Sequence, residues 1–101
     1  MNVKLIRMWS GEDVIADLIH EANWGDGYDR FHTIMNPLVA VPTAQGQMGF
    51  APWSPLLKEK NVEVEVRRDY VVFITDTQPE IEEYYKEQFS LIKSPSKNLI
   101  L

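Results

Sequence analysis

Val62, Val64 and Val66 alternate strictly with Glu63, Glu65 and Arg67. A period of two puts the valines on one side of an extended chain and the charges on the other. The segment therefore reads as a strand with one dry face. Arg67-Arg68-Asp69 follows as a tight corner, and Tyr70-Val71-Val72-Phe73-Ile74-Thr75 as a nearly unbroken apolar strand. Such continuous apolar character predicts burial on both faces. Two strands joined by so short a corner need a sheet to receive them, which makes the fold class mostly β.

The N-terminal half carries the same kind of signal. Val3 to Trp9 reads as a strand, and Ser10-Gly11-Glu12-Asp13 as a turn in which Gly11 supplies a backbone angle other residues dislike. Val14, Ala16 and Leu18 then alternate with Ile15, Asp17 and Ile19, completing a hairpin. Asn23-Trp24-Gly25-Asp26-Gly27 is a second turn whose Asp-Gly pair is a hairpin cue. Tyr28 to Met35 is extended. Pro37 marks a bend before Leu38-Val39-Ala40-Val41, so one long, bent strand path is expected. Ala44-Gln45-Gly46-Gln47 turns the chain again, and Met48 to Trp53 is irregular or an edge because Pro52 and Pro55 bound it.

A helix is expected over 77–93. Thr77 and Glu80 have capping-box spacing, and Pro79 suits a first turn. Ile81, Tyr85, Phe89 and Ile92 form an apolar stripe at helical spacing. Ser94-Pro95-Ser96 ends the helix, and Leu99-Ile100-Leu101 is either a loose end or a short arm that docks elsewhere. The expected organisation is a β unit over 1–76, the helix packed on it, and a tail over 94–101.

Composition narrows the function classes. The 101 residues fit one domain. The absence of cysteine excludes a disulfide framework, thiolate zinc sites and thiol catalysis. Met1-Asn2-Val3-Lys4 leads straight into a strand pattern without a signal-peptide layout, and no apolar run approaches a bilayer span. A cytoplasmic protein with no membrane partner is expected. A net charge of -5 argues against general nucleic-acid binding but permits a small basic site.

Catalytic patterns do not emerge. His20 and His32 lack a third ligand at metal spacing, and no serine elbow or phosphate loop is present. Neither enzyme activity, nor a metal, nor a cofactor is expected. Arg67-Arg68-Asp69 is the one local basic feature. It suits a phosphate or a base, although a charged turn pairing with nearby carboxylates is the plainer reading. Trp9 and Trp53 are expected in the core, and Trp24, in a turn, is the candidate for an exposed aromatic.

The order of these segments resembles the Sm and Sm-like (LSm) proteins. Val66 to Ile74 is similar to their second signature, in which an arginine corner precedes a strongly apolar last strand. Gly11-Glu12-Asp13-Val14-Ile15-Ala16-Asp17-Leu18 resembles their first signature. The likeness spans most of Val3 to Ile74 and is nearest to the small Sm-like proteins of marine cyanophages. It implies a small, bent, five-stranded antiparallel Sm-like barrel, here with a C-terminal helix. It also implies a homo-oligomeric ring, pentamer to heptamer, in which an edge strand of one protomer pairs with the last strand of the next. Tyr70, Val71, Val72, Phe73 and Ile74 would form that interface. RNA would then meet Arg67, Arg68 and Asp69.

Four departures accompany the resemblance. The helix follows the last strand, where the family's precedes the first. Arg68 and Ala16 stand where glycine is usual, and the family's base-binding Asp and Asn have no counterpart after the second strand. Two functions are open: an Sm-like RNA-binding or RNA-chaperone ring with an atypical site, or a phage protein-binding ring or scaffold without RNA.

Overall fold

A computed structural model of the chain describes residues 1–25, 27–54 and 61–89. Six strands and one helix are present among them: β1 (Val3–Met8), β2 (Asp13–His20), β3 (Phe31–Pro42), β4 (Met48–Pro52), β5 (Glu63–Arg67), β6 (Val71–Thr75) and α1 (Pro79–Phe89). A single 3₁₀ turn, Arg68–Tyr70, joins β5 to β6. All strand pairings are antiparallel.

The sheet runs β4-β3-β2-β1-β6, and β5 pairs with β3 beside β4. β3 is the long, bent path expected from Pro37. Its first half, Phe31 to Met35, pairs with β5, and its second half, Leu38 to Pro42, pairs with β4. The break between them falls at Asn36, whose φ is 53°. Asparagine tolerates this left-handed region better than most residues. Its side chain is also held: Asn36 Nδ2 donates to Asn61 Oδ1 (3.0 Å), and the Asn61 N–H donates to Asn36 Oδ1 (2.9 Å).

The sheet has one strand more than expected and does not close. β4, on the far half of β3 from β5, adds the sixth strand. β5 and β6 lie at opposite ends and form no ladder with each other. The β2–β3 connection also differs from a tight Asp-Gly hairpin. β2 ends at His20 and β3 starts at Phe31, because side-chain hydrogen bonds hold the described residues between them as a loop.

The alternation in β2 divides the core. Val14, Ala16 and Leu18 join Ile6, Met8, Ile34 and Val66, with Trp53, Val64, Val71 and Ile74 packed around them. Ile15 faces the other way, with Val3 and Leu38, against Tyr85. One side of the sheet is thus enclosed by its own curvature and the other by α1. Helix and strand periodicities meet at this second cluster, where Ile81, Tyr85 and Phe89 are the helical stripe.

Pro79 opens α1, one step later than the Thr77–Glu80 spacing implied. The Gln78 carbonyl accepts the N–H groups of Ile81 and Glu82, which makes Gln78 the cap. Proline at the first helical position loses no hydrogen bond. Glu80 and Glu82 sit favourably in the first turn, and Lys86 pairs with Glu82 at 2.9 Å. Ile92 and the tail 94–101 lie outside the described residues. None of the described helices is long and apolar enough to cross a membrane.

Candidate functional site

β5 delivers Arg67 to the corner in extended conformation, and a single 3₁₀ turn of three residues carries the chain from there into β6. Asp69 is thereby folded back onto Arg67. Arg67 Nε donates to Asp69 Oδ1 (3.1 Å) and Nη2 to Asp69 Oδ2 (3.0 Å). This two-point bond lowers the Asp69 pKa and raises that of Arg67. Both side chains are well exposed, so a phosphate can reach Arg67 only in competition with this carboxylate.

Arg68 has a different task. Its backbone N–H donates to the Arg30 carbonyl (2.9 Å), docking the corner on the loop before β3. Its Nη1 donates to the carbonyls of Asn23 (3.0 Å) and Asp29 (2.9 Å). The guanidinium lies over the Trp24 ring, 4.7 Å from the centroid. A planar cation thus pins both ends of the loop and supports one face of an indole that is still 64% exposed. Tyr28, in the same loop, is 96% exposed.

Side chains complete the loop. Asp29 meets His20 Nε2 (3.0 Å) and accepts the Asn23 N–H (2.7 Å), and these contacts, the His20 one foremost, hold its carboxyl below the usual range. The Gly25 N–H donates to Asn23 Oδ1 (2.9 Å), an Asx turn. The Ala22 N–H donates to Nδ1 of the buried His32 (2.9 Å), which places the imidazole proton on Nε2. Desolvation lowers the His32 pKa. No group of three His, Asp or Glu residues suited to a metal ion occurs among the described residues.

The structure therefore brings the expected Arg67, Arg68 and Asp69 into one turn and joins Trp24 to them through Arg68. Asn23 and Asp29 were not singled out by the sequence, and His20 was weighed only as a metal ligand. The bonds from Arg68 to the Asn23 and Asp29 carbonyls span 45 and 39 residues of chain, His20 joins through Asp29, and no local pattern marks such distant pairing.

The expected interface segment divides. Tyr70 belongs to the 3₁₀ turn, and its carbonyl accepts the Trp9 N–H (2.8 Å). Val71 and Ile74 pack into the first cluster, but Val72 is 54% and Phe73 41% exposed. Burial of β6 on both faces is thus not found within one chain, because β6 ends the sheet. Trp9 is 70% exposed, contrary to the core placement expected, since β1 ends at Met8 and the indole lies beyond it. Trp53 is half-buried against the first cluster, with Nε1 donating to Glu12 Oε1 (3.0 Å). No protein-family model matches the chain, and no curated protein matches it either.

Proposed function

We propose that this chain is a non-enzymatic, Sm-like assembly module that forms a homo-oligomeric ring. One observation carries the reading. β5 and β6 are consecutive in the chain, three residues apart, yet they border opposite ends of an open sheet. Each pairs with a single neighbour among the described strands. An unpaired edge with exposed Val72 and Phe73 invites strand addition. Pairing β5 of one protomer with β6 of the next is head-to-tail and closes cyclically. The ring would repeat the Arg67 corner and offer it to single-stranded RNA.

The second reading is a ring that contacts protein without RNA. It is favoured by the engagement of Arg67 with Asp69, and of Arg68 with the loop carbonyls and Trp24, beside the exposed Trp9, Trp24 and Tyr28. Aromatic groups of this kind often anchor protein interfaces.

Native mass spectrometry with and without a short oligouridine at low salt tests both. A closed oligomer that carries RNA supports the RNA reading, and a closed oligomer that stays bare supports the second. A Val72→Lys chain should be monomeric, because a charge on the open edge opposes pairing. A monomeric wild-type chain at tens of micromolar would end the ring proposal.

A further inference from the structure

An imidazole nitrogen accepts a hydrogen bond only while it carries no proton. His32 uses Nδ1 in this way. It accepts the Ala22 N–H at 2.9 Å inside the fold, where His32 is 2% and Ala22 3% exposed. A proton on Nδ1 would set two donors against each other across that distance. The Ala22 bond and the imidazolium are therefore mutually exclusive, and protonation obliges one partner to move.

The strand is the better held of the two. β3 is paired on both edges at this point, with β5 through His32 and Val66 and with β2 through Thr33 and His20. Ala22 lies beyond the end of β2, in no strand. The next residue, Asn23, is held at the surface. Its N–H donates to Asp29 Oδ2 (2.7 Å) and its carbonyl accepts from Arg68 Nη1 (3.0 Å), both exposed bonds for which water competes. Trp24 follows, with its ring 4.7 Å from the Arg68 guanidinium.

We propose that the Ala22–His32 bond is a proton-operated latch: protonation of His32 releases segment 21–25 from the sheet and separates Trp24 from Arg68. The charges that face the imidazole are mixed. Glu21 and Asp29 of the loop favour its cation, His20 of β2 and Arg68 of the corner oppose it, and burial opposes it most. The latch is thus closed at neutral pH and opens in acid. Opening takes the indole and the Asn23 carbonyl from Arg68 and leaves the Arg67–Asp69 pair in place. Acidity thereby alters one half of the corner and not the other. All of these contacts lie within one chain, so the latch works with or without a ring.

Two-dimensional NMR of the full chain, titrated from about pH 7.5 to about pH 5, tests it. The Ala22 amide, the Trp24 indole N–H and the His32 ring should follow one single-proton curve with a shared midpoint, while the amides of β1 keep their positions. In His32→Asn, whose amide oxygen can accept the same N–H, the Ala22 and Trp24 signals should stay still. In His20→Asn they should still move with the His32 ring, which separates the latch from the His20–Asp29 pair. The proposal is overturned if these two signals follow the His20 ring, if they still titrate in His32→Asn, or if the His32 ring titrates without them. It is equally overturned if His32 stays neutral until the whole chain unfolds. Should His32→Asn not fold, the wild-type and His20→Asn curves decide.

Discussion

The Arg68 guanidinium stacks on Trp24 while the same side chain donates to the carbonyls of Asn23 and Asp29. One residue of the β5–β6 corner thereby sets the shape of the loop between β2 and β3. Replacing it removes two charge-assisted bonds and a cation–π contact at once. Arg68→Ala should lose about 1–3 kcal/mol by urea unfolding, and Trp24 emission should shift to the red as the ring enters water. Arg68→Lys should recover less than half of the loss, because an ammonium cannot hold two carbonyls and an indole in one plane.

The Tyr85 hydroxyl is the polar centre of the helix–sheet contact. It accepts the Asp17 N–H (3.0 Å) and points its single proton between the carbonyls of Met35 (2.9 Å) and Asn36 (3.0 Å). Burial raises its pKa. Tyr85→Phe keeps the ring but strands the Asp17 N–H and two carbonyls. A loss of about 1–3 kcal/mol is expected by chemical denaturation. Tyr85→Leu should cost more, since the contact with the Phe89 ring, 4.7 Å between centroids, goes as well.

His32 is buried and neutral, with Nδ1 accepting the Ala22 N–H. Its folded pKa is lowered, so the unfolded chain binds more protons below the ordinary histidine value. Stability should be fully present above about pH 6.5 and fall as pH drops from there toward the folded pKa. One proton sets a ceiling of about 1.4 kcal/mol per pH unit on this slope. In His32→Asn, whose amide oxygen can accept the same N–H, thermal melts between pH 6.5 and 5 should show a flatter dependence. Asp29 and Asp69 act in a lower range. Their depressed pKa values give stability above about pH 4 that is lost in more acid solution.

Asp69 holds the Nε–Nη2 edge of Arg67 and offsets its charge, so a phosphate gains that two-point edge only by displacing the carboxylate. If RNA meets the corner, Asp69→Asn should tighten binding and steepen its salt dependence, and Arg67→Ala should weaken it with a shallower slope. Fluorescence anisotropy with a labelled oligouridine over a salt series reads both. No change in either variant would remove RNA from this corner.

Local alternation made the strands legible. Val62 to Arg67, Val14 to Ile19 and the bend at Pro37 all fall where their patterns place them. The helix was legible from its stripe, though its cap moved to Gln78 because Pro79 starts the helical hydrogen-bond pattern. The Asp-Gly cue suggests a tight hairpin between β2 and β3, but side-chain bonds across the loop, such as Ala22 to His32, and the contacts of Arg68, which is remote in sequence, set a wider loop. Tyr70 to Ile74 was read as doubly buried from hydropathy alone. Hydropathy does not report whether a strand has a neighbour on its outer edge, and β6 has none within the described chain. Trp9 reads as a core indole, but β1 ends at Met8, one residue before it. Of the candidate site, the three corner residues and Trp24 were visible, but the bond that unites them was not.

The shared use of β3 has a kinetic consequence. β2 lies along one of its edges, and β4 and β5 lie end to end along the other. No partial opening can free β3 without detaching at least one of these strands. Those of its amides that bond to β2 should therefore exchange with solvent only through near-global unfolding, and so report the protein's full stability. β4 and β6, each held along a single edge, can detach without it. Native fluctuation thus concentrates at the rims of the sheet, around a middle strand that opens last.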